Sequence, residues 1–428
     1  MKPALARAAY STLLRLMTPV YLARLWWRGR QEGAYRAHWG ERLGLGGPVA
    51  AAGAVWIHAV SLGETRAAQA LIDALRAQEP RVRILLTHGT ATGRDAGRAL
   101  LRPGDVQVWL PYDTPGAARR FLRRYRPAAG VLMETEIWPN LLHAAQRAGL
   151  PMVLANARLS DKSSRAGLRV ASLIRPAVES LATVLAQTAD DAVRLRAAGA
   201  RDVHVMGNLK FDMTPPAPLV ARGRQWRATL ARPVVLAAST REGEEAPLLR
   251  AWAAQPVPRP LLLVVPRHPQ RFDEVGTLVR QAGCSLVRRS SFGIAPPSEA
   301  AHADVWLGDS MGEMPMYYAL ADVALLGGSF APLGGQNLIE ASACGCPVVM
   351  GPHTFNFELA ARLAETAGAA RRVGDIDEGV SAAIALASDP TRADWVQRAF
   401  DFAQAHRGAA QRMAAAVLHV RDTRLHGR

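Results

Sequence analysis

The sequence predicts two doubly wound, Rossmann-like α/β domains facing a cleft, on three observations. Short apolar, β-branched runs alternate with alanine-rich helical stretches along the chain, the pattern of parallel sheets covered by helices. Two such series are separated by Thr214-Pro215-Pro216-Ala217-Pro218, the strongest linker cluster in the sequence. Polar and glycine residues gather directly after the apolar runs, and open α/β sheets hold ligands beyond the carboxyl ends of their strands. The chain has 428 residues, room for two or three domains at roughly 100–200 residues each.

Taken in order, residues 1–42 read as a basic helical segment. Apolar residues are dense between Leu5 and Trp27, but Arg7, Arg15 and Arg24 interrupt them. No uncharged run reaches the ~18 residues of a spanning helix, and the pattern is not that of a secretory signal. Trp26, Trp27, Arg28, Arg30, Arg36 and Arg42 follow, and residues 1–42 hold eight basic against two acidic side chains. Two readings stand: a helix lying among anionic headgroups, or a packed helix with a solvated basic face. A membrane surface, rather than a membrane span, is the expectation.

The first domain, 43–212, has predicted strands at 55–60, 82–87, 106–110, 130–133, 152–155, 184–186 and 203–206. A linker is predicted at 213–222. The second domain, 223–400, has predicted strands at 234–238, 261–265, 305–307, 323–326 and 347–350. A last helix within 395–424 has no strand after it; residues 401–428 are free to pack back on the first domain.

Composition narrows the class. Hydrophobic residues make up 49% and charged residues 21%, which is globular rather than disordered. The formal net charge is +16, yet Lys2, Lys162 and Lys210 are the only lysines. An arginine and alanine skew of this kind follows GC-rich coding, so bulk charge is a poor sign of nucleic-acid binding and no nucleic-acid partner is expected. Cys284, Cys344 and Cys346 form neither a disulfide framework nor a zinc spacing, as expected of packing residues in a reducing compartment. No H-E-x-x-H or aspartate-rich cluster calls for a metal, and no cofactor is expected.

Chemistry-bearing residues sit at predicted strand ends. Ser61-Leu62-Gly63-Glu64 follows the first strand and opens a helix. The helix dipole favours an anionic Glu64 there, either as a cap or as a base. Glu134 and Glu136 follow the strand at 130–133, where two carboxylates are costly unless paired or functional. If the strand continued they would share a face, raising one pKa. Asn156, Arg158, Ser160 and Lys162 form a polar cluster after the next strand, and Lys210 lies in Gly207–Asp212 beside the linker. A flexible lysine suits a phosphate or carboxylate, and an ordinary surface lysine is the alternative for Lys162.

In the second domain Arg241 follows the first strand, and Pro266, Arg267 and His268 follow the second. Met311, Gly312 and Glu313 follow a third. Gly327-Gly328 leads to Gly334-Gly335-Gln336-Asn337 and a helix with Glu340. Glycines ahead of a helix expose amides that hold a phosphate, and Arg267 offers a bidentate contact. Neither loop fits a dinucleotide or P-loop fingerprint. His58 and His353 stand alone and read as structural.

Seven runs occur in order: HAVSLGE at 58–64, METEIWPN at 133–140, NARLS at 156–160, LKFD at 209–212, VPRHP at 265–269, GDSMGE at 308–313 and GPHTFNF at 351–357. With LWWRGR at 25–30, they make the chain resemble the 3-deoxy-D-manno-octulosonic acid (Kdo) transferases of Gram-negative bacteria over nearly its whole length. The resemblance implies a GT-B fold. It also implies an inverting, metal-independent transfer of Kdo from CMP-Kdo to a 6′-hydroxyl of the lipid A precursor lipid IVA, in lipopolysaccharide synthesis at the cytoplasmic face of the inner membrane. By the same resemblance Glu64 is the general base, while Glu134 and Lys210 support charge redistribution. The donor set is Pro266, Arg267, His268, Met311, Gly312, Glu313, Asn337, Leu338, Ile339 and Glu340. The acceptor set is Ser61, Gly63, Glu136, Asn156, Arg158, Ser160 and Lys162. Family members usually carry histidine where this chain has Arg241 and Gln336, which implies altered donor contacts. Two rivals remain: another GT-B enzyme using a UDP-sugar, as transferase or epimerase, and a non-enzymatic membrane- or nucleic-acid-binding protein.

Overall fold

The structure is a computed structural model that describes residues 2–30, 32–48 and 52–426, with residues 425 and 426 described by backbone only. The chain divides into two compact units, Met1–Asp212 with Arg407–Arg428, and Met213–His406.

The first unit contains β1 (Val55–His58), β2 (Ile84–His88), β3 (Val106–Trp109), β4 (Ala129–Met133), β5 (Met152–Ala157), β6 (Thr183–Ala186) and β7 (Val203–Val205). They form one sheet in the order β3-β2-β1-β4-β5-β6-β7, every pair parallel. Side chains alternate between its faces. Trp56, Leu85, Val108, Leu132 and Leu154 pack one face with Phe121. Ile57, Leu86, Val131 and Val153 pack the other with Leu71 and Met413. Burial on both faces is what makes these strands continuous apolar runs. The strand order reverses between β1 and β4, the switch point where connections leave in opposite directions and open a crevice.

The second unit contains β8 (Val234–Thr240), β9 (Leu261–Pro266), β10 (Leu286–Arg288), β11 (Val305–Leu307), β12 (Val323–Leu326), β13 (Val348–Met350) and β14 (Ala370–Arg372). Its parallel order is β10-β11-β9-β8-β12-β13-β14, with the switch point between β8 and β12. All twelve expected strands are present. β10 and β14 were not expected: each is a three-residue, arginine-bearing edge with no apolar run.

Two boundaries differ from expectation. Of the linker at 213–222, only 213–216 lies outside a helix, because Ala217–Ala228 begins there with Pro216 at its cap and Pro218 in its first turn. Proline is tolerated at these positions because their N–H groups need no intrahelical partner. The last helix is two: Arg392–Ala405 belongs to the second unit and Ala409–His426 to the first, broken before Gly408 at φ +92°. Ala409–His426 packs on Leu62–Gln78 through Ala410, Met413, Ala414 and Val417.

The basic segment is a helix, Pro3–Arg28, in which only Ala6 and Ser11 are buried. Polar contacts dock it: the Ser11 hydroxyl donates to Asn140 Oδ1 (2.9 Å) and the Tyr10 hydroxyl to Asp113 Oδ2 (3.1 Å). Leu5, Leu13, Leu16, Val20, Trp26 and Trp27 remain exposed. Among the described residues no helix is long and apolar enough to cross a membrane.

Candidate active site

Glu64 lies beyond the end of β1. The sheet stops at His58, and the chain turns at Val60 and Ser61 into the Leu62–Gln78 helix. Ser61 is the N-cap and accepts from the Glu64 amide (3.4 Å). Glu64 reaches back to accept from the Val60 amide (Oε2, 2.6 Å) and the Ser61 hydroxyl (Oε1, 3.2 Å). Ser61 and Glu64 thus cap the helix reciprocally, with Glu64 taking the amide of Val60, one residue ahead of the N-cap, so the helix-cap reading of Glu64 holds. It does not exclude a base. Burial, reinforced by the charges of Glu134 and Glu136, raises the carboxyl to about 7 despite the two stabilising hydrogen bonds. The helix dipole alone suggested a firm anion; desolvation reverses that. Gly63 is exposed, and a Cβ there would meet only Ser61 Oγ, at 3.9 Å.

β4 ends at Met133, across the switch point from Glu64. Glu134 leaves the sheet at φ +57°, its amide donating to the Ala155 carbonyl (2.9 Å). The strand therefore does not continue, and the shared-face expectation for Glu134 and Glu136 fails. Glu136 is nonetheless raised, by burial first and then by Glu134's charge, against the Trp138 indole. Lys210 places Nζ 4.0 Å from Glu134 Oε1. It sits on a single turn, Leu209–Asp212, whose Leu209 amide donates to Asn156 Oδ1 (3.0 Å).

Ser61, Gly63, Glu64, Glu134, Glu136 and Lys210 thus gather at one sheet end. Asn156 is different from expectation: it is fully buried at φ +52° and holds the Lys210 turn instead of lying open to an acceptor. Arg158, Ser160 and Lys162 are exposed on the next connection, where Ser160 caps Asp161–Arg169. Among the described residues no hydrogen bond joins them to the Glu64 group. His58 is a buried neutral imidazole, lowered to about 3 by burial and by His88, in keeping with a structural role.

In the second unit Ser239 adopts φ +55° one residue before the end of β8, where the register with β9 shifts. The glycine at 327 is obligatory, because a Cβ would fall 2.4 Å from the Ser239 carbonyl oxygen. Glu244, which sequence reasoning passed over, ties this turn together. Its buried carboxylate accepts from the amides of Arg241 (2.9 Å), Gly328 (2.7 Å), Phe330 (3.3 Å) and Ala331 (3.4 Å). The only sequence signal was an acidic residue after a glycine, too common to stand out.

Arg241 and Gln336 flank the same glycine: a Cβ at Gly328 would lie 3.7 Å from Arg241 Cγ and 3.3 Å from Gln336 Nε2. Arg271 is neutralised by Glu245 (2.6 Å) and Glu274 (2.8 Å), whereas Arg241 makes no ion pair among the described residues. His268 is depressed by partial burial and then by Arg241, Arg267 and Arg271, which places positive charge around it. Glu313 accepts from Ser310 (2.6 Å) and Arg289 (2.9 Å), while Met311 is exposed and Gly312 adopts φ +80°. Asn337 caps the short helix Leu338–Ala343 through the Ile339 amide (3.2 Å), with Glu340 half-buried on it. Pro266, Leu338 and Ile339 are buried, so their side chains are core. The arrangement can hold a phosphate-bearing anion on amides and guanidinium groups.

Residues 37–213 match the family model described as 3-deoxy-D-manno-octulosonic-acid transferase (kdotransferase). The chain is 47% identical over 429 residues to the 3-deoxy-D-manno-octulosonic acid transferase of Bordetella pertussis, covering 96% of this chain and 99% of that one. It belongs to the Kdo transferase family. The Kdo transferase of Haemophilus influenzae is 32% identical, covering 95% of this chain and 97% of that one. In fold the chain is similar to Anabaena HepE solved with UDP, at a TM-score of 0.56 and 16% identity, covering 86% of this chain and 99% of that one. Two parallel-sheet Rossmann-like domains are the GT-B fold that the family resemblance implied.

Proposed function

We propose that this Kdo transferase family member moves Kdo from CMP-Kdo to the 6′-hydroxyl of lipid IVA by a single inverting displacement, with Glu64 as the general base. The observation that carries this reading is Glu64 itself, a half-buried carboxyl raised to about 7 near Glu134, which in turn pairs with Lys210. A base poised near neutrality takes a proton efficiently without being fully protonated. The acceptor oxygen gives its proton to Glu64 and bonds to the anomeric carbon of Kdo. The bond from that carbon to the phosphate oxygen breaks, and CMP leaves with the electron pair. Lys210 offsets the negative charge gathering near Glu134. In the second unit Arg241 and Arg267, beside the glycine loop whose turn Glu244 fastens, receive the phosphate, where preorganised donors contribute most when charge develops.

The exposed apolar and aromatic face of Pro3–Arg28, set among arginines, suits an acylated, phosphorylated acceptor reached from an anionic membrane surface. This reading puts the enzyme at the cytoplasmic face of the inner membrane. The test incubates purified protein with tetraacyl lipid A precursor and CMP-Kdo regenerated in situ, reading the lipid by mass spectrometry. A Kdo increment lost in Glu64→Ala supports both reaction and base. No increment from folded protein that UDP, and not CMP, stabilises against heat assigns it to a UDP-sugar instead.

A further inference from the structure

We infer that Asp212 is a positioning residue for Lys210, acting by fastening the Lys210 turn to the start of the last helix. The inference rests on Lys210 taking part in the transfer. The turn Leu209–Asp212 follows β7, the edge strand of its sheet, so no ladder holds it. Side chains tether it instead. Asn156 Oδ1 accepts from the Leu209 amide and Asn208 Oδ1 from the Lys210 amide, both at 3.0 Å. These two hold its beginning. Its end is held by the Asp212 carboxylate, which accepts from the amides of Gly408 (Oδ1, 2.5 Å) and Ala410 (Oδ2, 2.6 Å).

Those amides belong to the first turn of Ala409–His426, where unpaired N–H groups and the helix dipole favour a carboxylate. Leu209 is buried in the same cluster as Ala409, Ala410 and Met413, so apolar packing and Asp212 fix the turn from the same side. Farther along, the same helix packs on Leu62–Gln78, which carries Glu64 at its start. One element returning from the far end of the sequence therefore braces both the base helix and the lysine turn. Lys210 needs the brace because its ammonium sits 4.0 Å from Glu134, at the limit of ion pairing, where a small displacement removes the interaction.

The test is a mutant cycle on the full chain, assayed for Kdo transfer to lipid IVA. Asp212→Asn keeps the shape but replaces one acceptor with a donor facing an amide. Its kcat is expected to fall about tenfold or more with KM for CMP-Kdo essentially unchanged, the signature of lost positioning. In the Lys210→Ala background the same change is expected to cost nothing further. Additive losses, or an unchanged kcat, would overturn the inference. Should Asp212→Asn fail to fold, Asp212→Glu, which keeps the charge and shifts the carboxylate, replaces it in the same cycle. A fully active Lys210→Ala would instead sink the role given to Lys210.

Discussion

Replacing Ser61 by alanine separates the two duties of Glu64, helix cap and base. Two hydrogen bonds favour its ionised form: the Val60 amide at 2.6 Å and the Ser61 hydroxyl at 3.2 Å. Alanine removes only the longer one. A long hydroxyl–carboxylate bond at a half-exposed group contributes about 0.7 kcal/mol, which at about 1.36 kcal/mol per pH unit raises Glu64 by about half a unit. The base works deprotonated, so the rate rises with pH through its pKa, near 7 in the native enzyme. In Ser61→Ala that limb moves to higher pH. At pH 7 the ionised fraction drops from about one half to about one quarter, a roughly twofold slower rate with an unchanged alkaline plateau. Losing the N-cap also costs about 0.5–1 kcal/mol, the low end of the range because the Glu64 amide sits 3.4 Å from Ser61 Oγ. The assay is transfer rate from pH 5.5 to 9 at saturating CMP-Kdo, with urea denaturation alongside. An acid limb that stays put or moves down would refute the assignment of Glu64 as the titrating base.

Glu64→Gln is expected to abolish transfer and yet stabilise the protein above neutrality. A carboxyl raised to about 7 in the fold holds a proton that the unfolded chain loses near 4.5. Native stability therefore falls as pH rises from 4.5 to 7, and the glutamine variant escapes this, gaining about 1–3 kcal/mol at pH 8 and nothing at pH 4.5 by urea denaturation. Glu244→Ala strands four buried or half-buried amides; it is expected to cost about 3 kcal/mol or more and to abolish CMP binding by calorimetry. Leu16→Glu on the exposed helix face is expected to weaken binding to anionic vesicles in a flotation assay, with stability changed by less than about 0.5 kcal/mol.

Strands buried on both faces were legible because burial writes itself as apolar runs: β4, Ala129–Met133, is fully buried and reads so. Edge strands were not, since β14 carries Arg371 and Arg372 on a half-open edge. That Glu64 and Glu134 would lie at strand ends was legible because both follow buried strands, β1 and β4, whereas Lys210, past the edge strand β7, stood out only as one of three lysines. Two things escaped. The surroundings of Glu64 are tertiary, its burial joined by the charges of Glu134 and Glu136 from far along the chain, so their effect on the proton could not be read from Ser61–Glu64 alone. Asn156 looked like an acceptor ligand for the opposite reason: a positive-φ asparagine facing inward and one facing outward have the same local sequence.

The two switch points meet the same demand with opposite charges. At the first, three carboxylates converge with one lysine, and the chain leaves β4 through a positive-φ glutamate. At the second, β8 carries a positive-φ serine just before its end, Arg241 stands without an ion pair among the described residues, and the buried carboxylate of Glu244 is spent on holding the loop amides. A protein with a net charge of +16 had no lack of arginines to neutralise Glu64, Glu134 and Glu136, yet among the described residues the arginine ion pairs fall elsewhere, as on Glu41, Asp105, Glu245 and Asp322. An arginine against Glu64 would stabilise the fold by lowering its carboxyl toward the ordinary range, and would weaken it as a base by the same amount. Leaving Glu64 desolvated and under-neutralised costs folding free energy at every pH above its unfolded value, and that cost is the same quantity that makes it able to take a proton near neutrality.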